Sequence, residues 1–340
     1  MRLGHAARRC VTLGARETAG SSARRAAAPQ EIHAVRVRLG VTTTFAVKRW
    51  PRPADWAPIV RDRLGLRLVQ HTIDLVEPAL GTGTVFSRSG AVRKATADHG
   101  LEIHSTVTGR SAGTRCLLLH PDLEARTEAR VYFHRLISFT EHIGGIATGG
   151  HLGAFSSSDA RDPDRRQARW ADLTAALTGL AIDGRRSGLE YIVVENRPSA
   201  RETSDMAEIR DLLRDGDMLH APIRLCMDLG HMCVAGASDE DRDPYAWLRA
   251  FAPVAPIVQV QQSDAEGDRH WPFTPARNAV GRIDADRVLD ALGEGGAEDV
   301  TLMLEVSPGD EQDDNGVVED LVVSIAYWRE ALAHRGLDQA

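Results

Sequence analysis

Short apolar segments alternate with longer amphipathic segments along most of the chain. Most of the short segments are apolar at successive positions, which is typical of strands buried on both faces. The strands are predicted at residues 38–47, 66–71, 101–106, 144–152, 189–195, 223–227, 256–262 and 300–306. Helices, with apolar residues three or four apart, are predicted at 53–64, 89–99, 122–142, 165–186, 204–214, 243–251, 284–292 and 316–334. Ser204 and Asp284 are predicted as N-caps of two of these helices.

Eight strands that alternate with eight helices predict an α/β fold with a parallel sheet. That number favours a closed (β/α)8 TIM barrel over an open doubly wound sheet. The open sheet would also need a glycine-rich nucleotide fingerprint after its first strand, and Lys48-Arg-Trp-Pro51 stands there instead. We therefore predict a single barrel domain at residues 36–340.

The amino-terminal segment has a different composition. The first forty residues hold eight Arg and two acidic residues, a net charge of 8 − 2 = +6, whereas the whole chain carries −7. The segment lacks the apolar core of a secretory signal, and its composition could suggest an organelle transit peptide. The simpler interpretations are a disordered leader or a start assigned too early. We predict that residues 1–35 are such a leader and are poorly ordered.

The composition of the whole chain narrows the class of protein to which it can belong. Of the 340 residues, 43% are hydrophobic and 26% are charged, as in soluble globular proteins. No apolar run approaches the roughly 20 residues that a spanning helix needs. The acidic balance argues against nucleic acid as a partner, and four Cys without CxxC spacing favour a reducing cytoplasm. We expect a cytoplasmic protein that binds small molecules, with homo-oligomer formation left open.

Polar side chains stand where the predicted strands end. They are His71, His104, His151, Glu195, Asp228, Gln259, Gln261 and Glu305, with His231 one turn beyond Asp228. Barrel active sites lie at the carboxyl ends of the strands, and alternation directs Glu195 and Glu305 into the barrel mouth. Facing carboxylates are costly unless a cation neutralises them. An oxygen-rich set suits Mn²⁺ or Mg²⁺, with Co²⁺ or Zn²⁺ as further options. Any one of these residues alone is more often a helix cap or a satisfied polar end.

Charged residues in the following loops are further candidates. Asp268 and His270, after the seventh strand, could be ligands or substrate contacts, with a plain polar loop as the equal alternative. Four basic residues could hold an anionic substrate group, although each alone is more often a solvated surface charge. They are Lys48, Arg49, Arg110 and Arg201. Cys226 shares the parity of Asp228 and is best interpreted as a small core residue.

Eight motifs between roughly residues 38 and 335 carry a family resemblance. They are Phe45-Ala-Val-Lys-Arg-Trp-Pro51, Leu68-Val-Gln-His-Thr-Ile-Asp-Leu75, Gly149-Gly-His-Leu-Gly153, Val194-Glu-Asn-Arg-Pro198, Met227-Asp-Leu-Gly-His231, Gln261-Gln-Ser-Asp264, Asp268-Arg-His-Trp-Pro-Phe273 and Leu304-Glu-Val306. Together they resemble the xylose-isomerase-like superfamily of sugar isomerases and epimerases, which are TIM barrels. The nearest branch acts on short-chain sugars and includes erythrulose-phosphate epimerases and apiose isomerases.

This resemblance implies one divalent metal ion held by the last four strands. The matching ligands are Glu195, Asp228, Gln261 and Glu305, with Gln259 as the alternative amide. The family usually has His where this chain has Gln, but an amide oxygen still binds a hard cation. The Arg that ketose epimerases carry after this strand has only Arg269 as a loose counterpart.

The same resemblance implies proton transfer beside a carbonyl through an enediolate. One of Glu195 and Glu305 removes the proton and the other returns it, on the same carbon in an epimerase and on its neighbour in an isomerase. The substrate would be a short-chain ketose or its phosphate. Pocket and substrate contacts are expected from His71, His104, His151, His231, Gln259, Asp268, His270, Lys48 and Arg201.

Two other functions are open for such a barrel. Apurinic-site endonucleases of the same superfamily bind three zinc ions and use an Asp-x-His after the seventh strand, here Asp268 and His270. Against that alternative stand the Gln in place of His and the acidic balance. A barrel that binds a sugar without catalysis is the third interpretation.

Overall fold

The computed structural model describes residues 35–76 and 82–337. In these ranges eight parallel strands close into a barrel, each one hydrogen-bonded to the next and the last to the first. The strands are β1 (Arg36–Thr42), β2 (Leu68–Thr72), β3 (Glu102–Val107), β4 (Ala147–Gly150), β5 (Tyr191–Glu195), β6 (Ile223–Asp228), β7 (Ile257–Val260) and β8 (Asp299–Leu304). The predicted TIM barrel is therefore confirmed. The predicted leader lies outside the described residues, save for its last position.

Helices connect the strands. They are α1 (Pro53–Pro58), α2 (Thr82–His99), α3 (Leu123–His142), α4 (Ser157–Arg161), α5 (Pro163–Arg186), α6 (Met206–Met218), α7 (Pro244–Phe251), α8 (Pro275–Asn278), α9 (Ala285–Glu294) and α10 (Asp314–His334). Helix α9 is capped by Asp284, as predicted. Helix α6 is capped by Asp205, whose side chain accepts from the Glu208 amide at 2.8 Å, so the predicted cap at Ser204 is wrong by one residue. Within the described ranges, no helix has the length and apolar character needed to cross a membrane.

Several elements differ from the predicted boundaries, and glycine residues explain two of the differences. Strand β4 covers four residues of the segment 144–152, which the sequence predicts as a glycine-rich strand and turn. Gly149 and Gly150 at its end have φ values of +147° and +112°. A Cβ atom on Gly149 would clash with the carbonyl of Val193, so glycine allows β4 to lie close against β5. Helix α2 begins seven residues before the predicted start at Ser89, because Gly83 and Gly90 obscure its helical pattern.

The barrel interior is filled in layers below the carboxyl ends of the strands. An apolar layer contains Leu68, Val193, Cys226, Ile257 and Met303, which confirms the core position expected for Cys226. A polar contact adjoins it, where the Gln259 amide donates to Gln70 Oε1 at 2.9 Å. The barrel is therefore a packed core that supports a site at its mouth rather than an open pore.

Candidate active site at the barrel mouth

Three carboxylates meet at the carboxyl ends of β5, β6 and β8. Glu195, Asp228 and Glu305, which we call the carboxylate cluster, are only 3%, 0% and 9% exposed. Strand alternation places them on the inner face, as predicted. Asn196 ties the ends of β5 and β6 together, because its side chain accepts from the Asp228 amide and donates to the Asp228 carbonyl, both at 2.9 Å. The strand ends that carry Glu195 and Asp228 are thus held in place relative to each other.

A cavity of about 530 Å³ opens above two of these carboxylates, and we call it the mouth cavity. It is lined by Thr44, Glu195, Arg197 and Glu305, by residues between 107 and 114 at the end of β3 and in the loop that follows, and by the loops 268–270 after β7 and 307–310 after β8. That volume lies within the range of small-molecule sites. The cavity is mostly polar and suits a small hydroxylated ligand.

Two histidines and a further carboxylate extend the cluster. His231 donates through Nδ1 to the Asn196 carbonyl at 2.7 Å, and its Nε2 lies 3.6 Å from Asp228 and 3.4 Å from Asp268. His270 Nε2 lies 3.1 Å from Asp268. Burial lowers the pKa of His231, but the Asp228 and Asp268 carboxylates outweigh it and raise that pKa to about 10. The pKa of His270 is likewise raised, to about 9, since Asp268 outweighs the effect of burial.

This set of donors fits a divalent metal ion. The ligand atoms of Asp228, His231 and His270 all lie within 4.8 Å of one another. His231 Nε2 and Glu305 Oε2 are buried and have no hydrogen-bond partner among the described residues. Burial raises the pKa of Glu305, and Asp228 and Glu195 add to the rise, although His270 opposes it. Bound cations neutralise such clusters and leave their ligands deprotonated.

The structure separates the two Gln residues that alternation alone leaves equivalent. Gln261 lies beside Asp228, donating through Nε2 to both carboxylate oxygens at 2.9 and 3.1 Å and to Asp268 at 3.0 Å. Its Oε1 accepts from the His270 amide. Gln259 lies one layer deeper, against Gln70. Gln261 is therefore the amide at the level of the carboxylate cluster, and its nitrogen faces Asp228 in this arrangement.

Arg197 is a site residue to which the sequence analysis assigned no role. It donates through Nη1 to Glu195 Oε1, and its Nε lies 3.5 Å from Glu202 Oε2. A guanidinium bridging two buried carboxylates fixes the position of Glu195. The feature of the sequence that could have identified Arg197 is its place two residues after Glu195, within a motif that carries the family resemblance.

The early strands do not bring their histidines to the mouth cavity. His71 points outward, with its ring 6.0 Å from that of Trp56 and 5.5 Å from that of Phe139. His104 faces the barrel interior, with Nε2 3.4 Å from the Thr301 hydroxyl near the start of β8. Burial lowers the pKa of both imidazoles to about 4.

Three other predicted contacts lie beside the mouth cavity rather than in its lining. His151 is fully buried, its Nε2 is 3.4 Å from the Arg115 carbonyl, and burial lowers its pKa to about 3. Arg201 donates to the Phe155 carbonyl at 3.4 Å. Lys48 has a 73% exposed side chain that pairs with Asp310 at 3.3 Å. Lys48 touches the cavity wall through Asp310, and the His151 backbone amide does so by donating to the Thr108 hydroxyl at 2.7 Å.

Known proteins with similar sequences share this fold. The chain is 30% identical over 302 residues to the D-erythrulose 1-phosphate 3-epimerase of Brucella abortus (strain 2308), with 85% of this chain and 94% of that protein covered. A crystal structure from Rhodospirillum rubrum ATCC 11170, of a protein provisionally named a xylose isomerase, is 32% identical. It has a TM-score of 0.80 and covers 86% of this chain and 99% of its own.

A more distant structure shares the architecture alone. The D-psicose 3-epimerase of Clostridium cellulolyticum H10, crystallised with D-tagatose, is 14% identical with a TM-score of 0.65 and covers 87% of this chain and 99% of its own. Residues 64–327, well over half of the chain, match the family described as xylose isomerase-like TIM barrel. Together with the 30% identity to the Brucella protein, this match shows that the chain belongs to the xylose isomerase-like TIM barrel family.

Proposed function

We propose that the protein is a divalent-metal-dependent epimerase that inverts carbon 3 of a short-chain ketose or ketose phosphate. The observation that carries the proposal is the pair of buried glutamates, Glu195 and Glu305, which line one cavity and have different surroundings. Two carboxyl groups in unequal environments are the usual basis for an acid and a base in one site. The similar Brucella protein is named as a 3-epimerase of a ketotetrose phosphate, and this supports carbon 3 as the reacting position.

Glu195 suits the role of base in the forward direction. Its Oε1 accepts from Arg197 and lies 3.4 Å from His231 Nδ1, so cationic partners surround the oxygen. It removes the proton from carbon 3, the electron pair of that C–H bond forms a double bond between carbons 2 and 3, and the π pair of the carbonyl group moves onto the oxygen at carbon 2. Arg197 holds the carboxylate in place during this step.

Glu305 suits the role of acid. Its Oε2 is buried without a hydrogen-bond partner among the described residues, and burial raises its pKa, so it can hold a proton. It gives that proton to the opposite face of carbon 3, which restores the carbonyl and inverts the centre. Thr44 orients the carboxyl group through a 3.3 Å hydrogen bond to Oε1. In the reverse direction the two glutamates exchange roles.

The residues that would hold the metal are Glu195, Asp228, Gln261 and Glu305. Bound there, a Mn²⁺ or Mg²⁺ ion, or Co²⁺ or Zn²⁺, would supply Lewis-acid stabilisation for negative charge on the substrate oxygens. Gln261 would have to turn its amide over, so that its oxygen rather than its nitrogen faces Asp228. His231 and His270 are the competing nitrogen ligands, because they form a compact triad with Asp228.

Deuterium exchange tests the proposal directly. The Mg²⁺-loaded protein is incubated in D₂O with tetruloses, pentuloses, hexuloses and their 1-phosphates, and proton NMR follows the loss of each C–H signal. We expect loss at carbon 3. Loss at carbon 1 would indicate an aldose–ketose isomerase instead. No exchange with any sugar, in protein with one bound metal ion per chain, would contradict the proposal, and close to three zinc ions per chain would favour the endonuclease alternative.

A further inference from the structure

Charge is unevenly distributed around the mouth cavity. Glu195 and Glu305 lie in its buried part, with Asp268 beside them. Carboxylates repel an anionic substrate group unless cations intervene. A phosphate on the substrate must therefore be held away from the glutamates, where the cavity lining offers positive charge.

Most of the basic side chains near the mouth cavity already have partners. Lys48 pairs with Asp310, and Arg49 donates to Asp314 at 2.7 Å and to the Gly309 carbonyl at 2.6 Å. Arg269 pairs with Asp264 at 3.0 Å. Arg197 is likewise engaged by Glu195 and Glu202. These cations keep the loops and the base in place, and a carboxylate already neutralises the charge of each one.

Arg110 is different. It lines the mouth cavity from the exposed loop after β3, and its guanidinium forms no ion pair or hydrogen bond with any of the described residues. A guanidinium offers a planar pair of donors that matches the oxygens of a phosphate. Its position on the wall gives the cavity a guanidinium that no described residue engages.

Hydrogen bonds to Asp74 hold the loop that carries Arg110 in place. Asp74 accepts from the Arg110 amide at 2.7 Å, from the Ser111 amide at 3.3 Å and from the Ser111 hydroxyl at 2.6 Å. A Cβ atom on Gly109 would clash with the Asp74 carboxylate, so this close approach requires glycine. The backbone of Arg110 is therefore held before any ligand binds, which lowers the entropic cost of binding.

We propose that Arg110 binds the terminal phosphate of the sugar substrate and makes the enzyme specific for phosphorylated ketoses. The inference rests on the proposed function, since it names the substrate class of the same site. It also assigns recognition to the loop after β3 and catalysis to the ends of β5, β6 and β8. The Asp74 carboxylate then acts as a positioning group for the loop.

Binding of glycerol 3-phosphate tests the inference without turnover, because this probe has the terminal phosphate and no carbonyl group. We expect Arg110→Gln to weaken its binding, measured by calorimetry, by about tenfold to a hundredfold, as for the loss of a charge-assisted hydrogen bond. Arg110→Lys should lose less, since it keeps the charge. Arg93→Gln, on the exposed side of α2, is the matched control and should bind like the wild type.

Kinetics separate this inference from the proposed function. Arg110→Gln should raise KM for a ketotetrose 1-phosphate by a similar factor and leave KM for the unphosphorylated ketotetrose within twofold. Equal binding of glycerol 3-phosphate by Arg110→Gln and wild type, or no binding by wild type, would overturn the inference while carbon 3 exchange could still stand. Loss of binding in Arg110→Gln, in a protein that exchanges no sugar proton, would support the anion site and refute the epimerase.

Discussion

The two halves of the barrel contribute differently to its mouth. Strands β5, β6 and β8 end in buried carboxylates that point inward, and Gln261 follows β7 at the same level. Strands β1 to β4 present hydroxyl groups and glycine instead, such as Thr44 and Thr108, and their histidines lie outside the cavity lining. Under the proposed function, the late half supplies the charged groups and the proton transfer, and the early half is free for recognition. Each prediction below tests that division.

The largest effect is expected from the two glutamates. Glu195→Gln and Glu305→Gln should each lower the rate of carbon 3 exchange by about a thousandfold or more, because an amide neither accepts nor returns the proton. Exchange is measured by NMR in D₂O. Glu102→Gln is the control, since that exposed carboxylate begins β3 at the opposite end of the barrel. Retention of more than a tenth of the wild-type rate in either glutamate variant would remove that residue from the proton path.

A second test concerns the metal. Asp228→Asn should weaken Mn²⁺ binding by about a hundredfold, because it removes a fully buried charge from the ligand set. Chelator competition measures the affinity. Asp299→Asn is the matched control, as Asp299 starts β8 at the opposite end and pairs with Arg36. Unchanged Mn²⁺ affinity in Asp228→Asn would place the metal site elsewhere.

The division between the halves follows from strand parity, and this explains what the sequence could predict. Glu195 and Glu305 end strands in which alternation from the apolar core residues Val193 and Met303 identifies the inner face. For β2 the alternation of polar and apolar positions does not identify the inner face, because all five residues are buried. Gln70 rather than His71 faces the barrel interior. A strand buried on both faces hides its orientation, so His71 was assigned to the pocket on position alone.

Loop residues were harder to place for a different reason: the sequence offers Arg110 as one of four equivalent basic candidates and gives Arg197 no role. Arg197 and Arg110 follow strands, but no periodicity states where a loop carries its side chains. Contacts outside the strand decide where these side chains lie. Asp74 holds the loop of Arg110, and Glu202 helps to hold Arg197. Likewise, β3 pairs with β2 through a register shift between Val69 and Gln70, which no single-strand pattern reveals.

The pH dependence of the unfolding free energy tests the early half of the barrel, where His71 lies on β2. The pKa of His71 is lowered to about 4 by burial, whereas the unfolded chain has the ordinary value of 6.5. Between these values the unfolded state binds a proton that the folded state does not, so acidification favours unfolding. His71 should therefore contribute a loss of about 1 kcal/mol of unfolding free energy between pH 6.5 and 5.5.

The variant His71→Gln should lose that part of the pH dependence, as measured by urea denaturation at both pH values beside the wild type. The contributions of His104 and His151 are common to both proteins and cancel in the difference. If His71→Gln instead raised KM tenfold and left the pH dependence of stability unchanged, His71 would be a substrate contact.

The smallest effect is expected at Gln261, where the late half departs from the family pattern. Gln261→His restores the usual imidazole and should shift preference toward Zn²⁺ over Mg²⁺ by about fivefold, because nitrogen is the softer donor. The ratio of the two affinities is read by metal competition, with His270→Asn measured in parallel. If Gln261 is a ligand, only its own substitution changes the ratio, and His270→Asn leaves it unaltered. If His270→Asn abolishes Zn²⁺ binding while Gln261→His has no effect, the metal is held by the triad of Asp228, His231 and His270, and Gln261 serves to hold Asp228 and the His270 backbone in place.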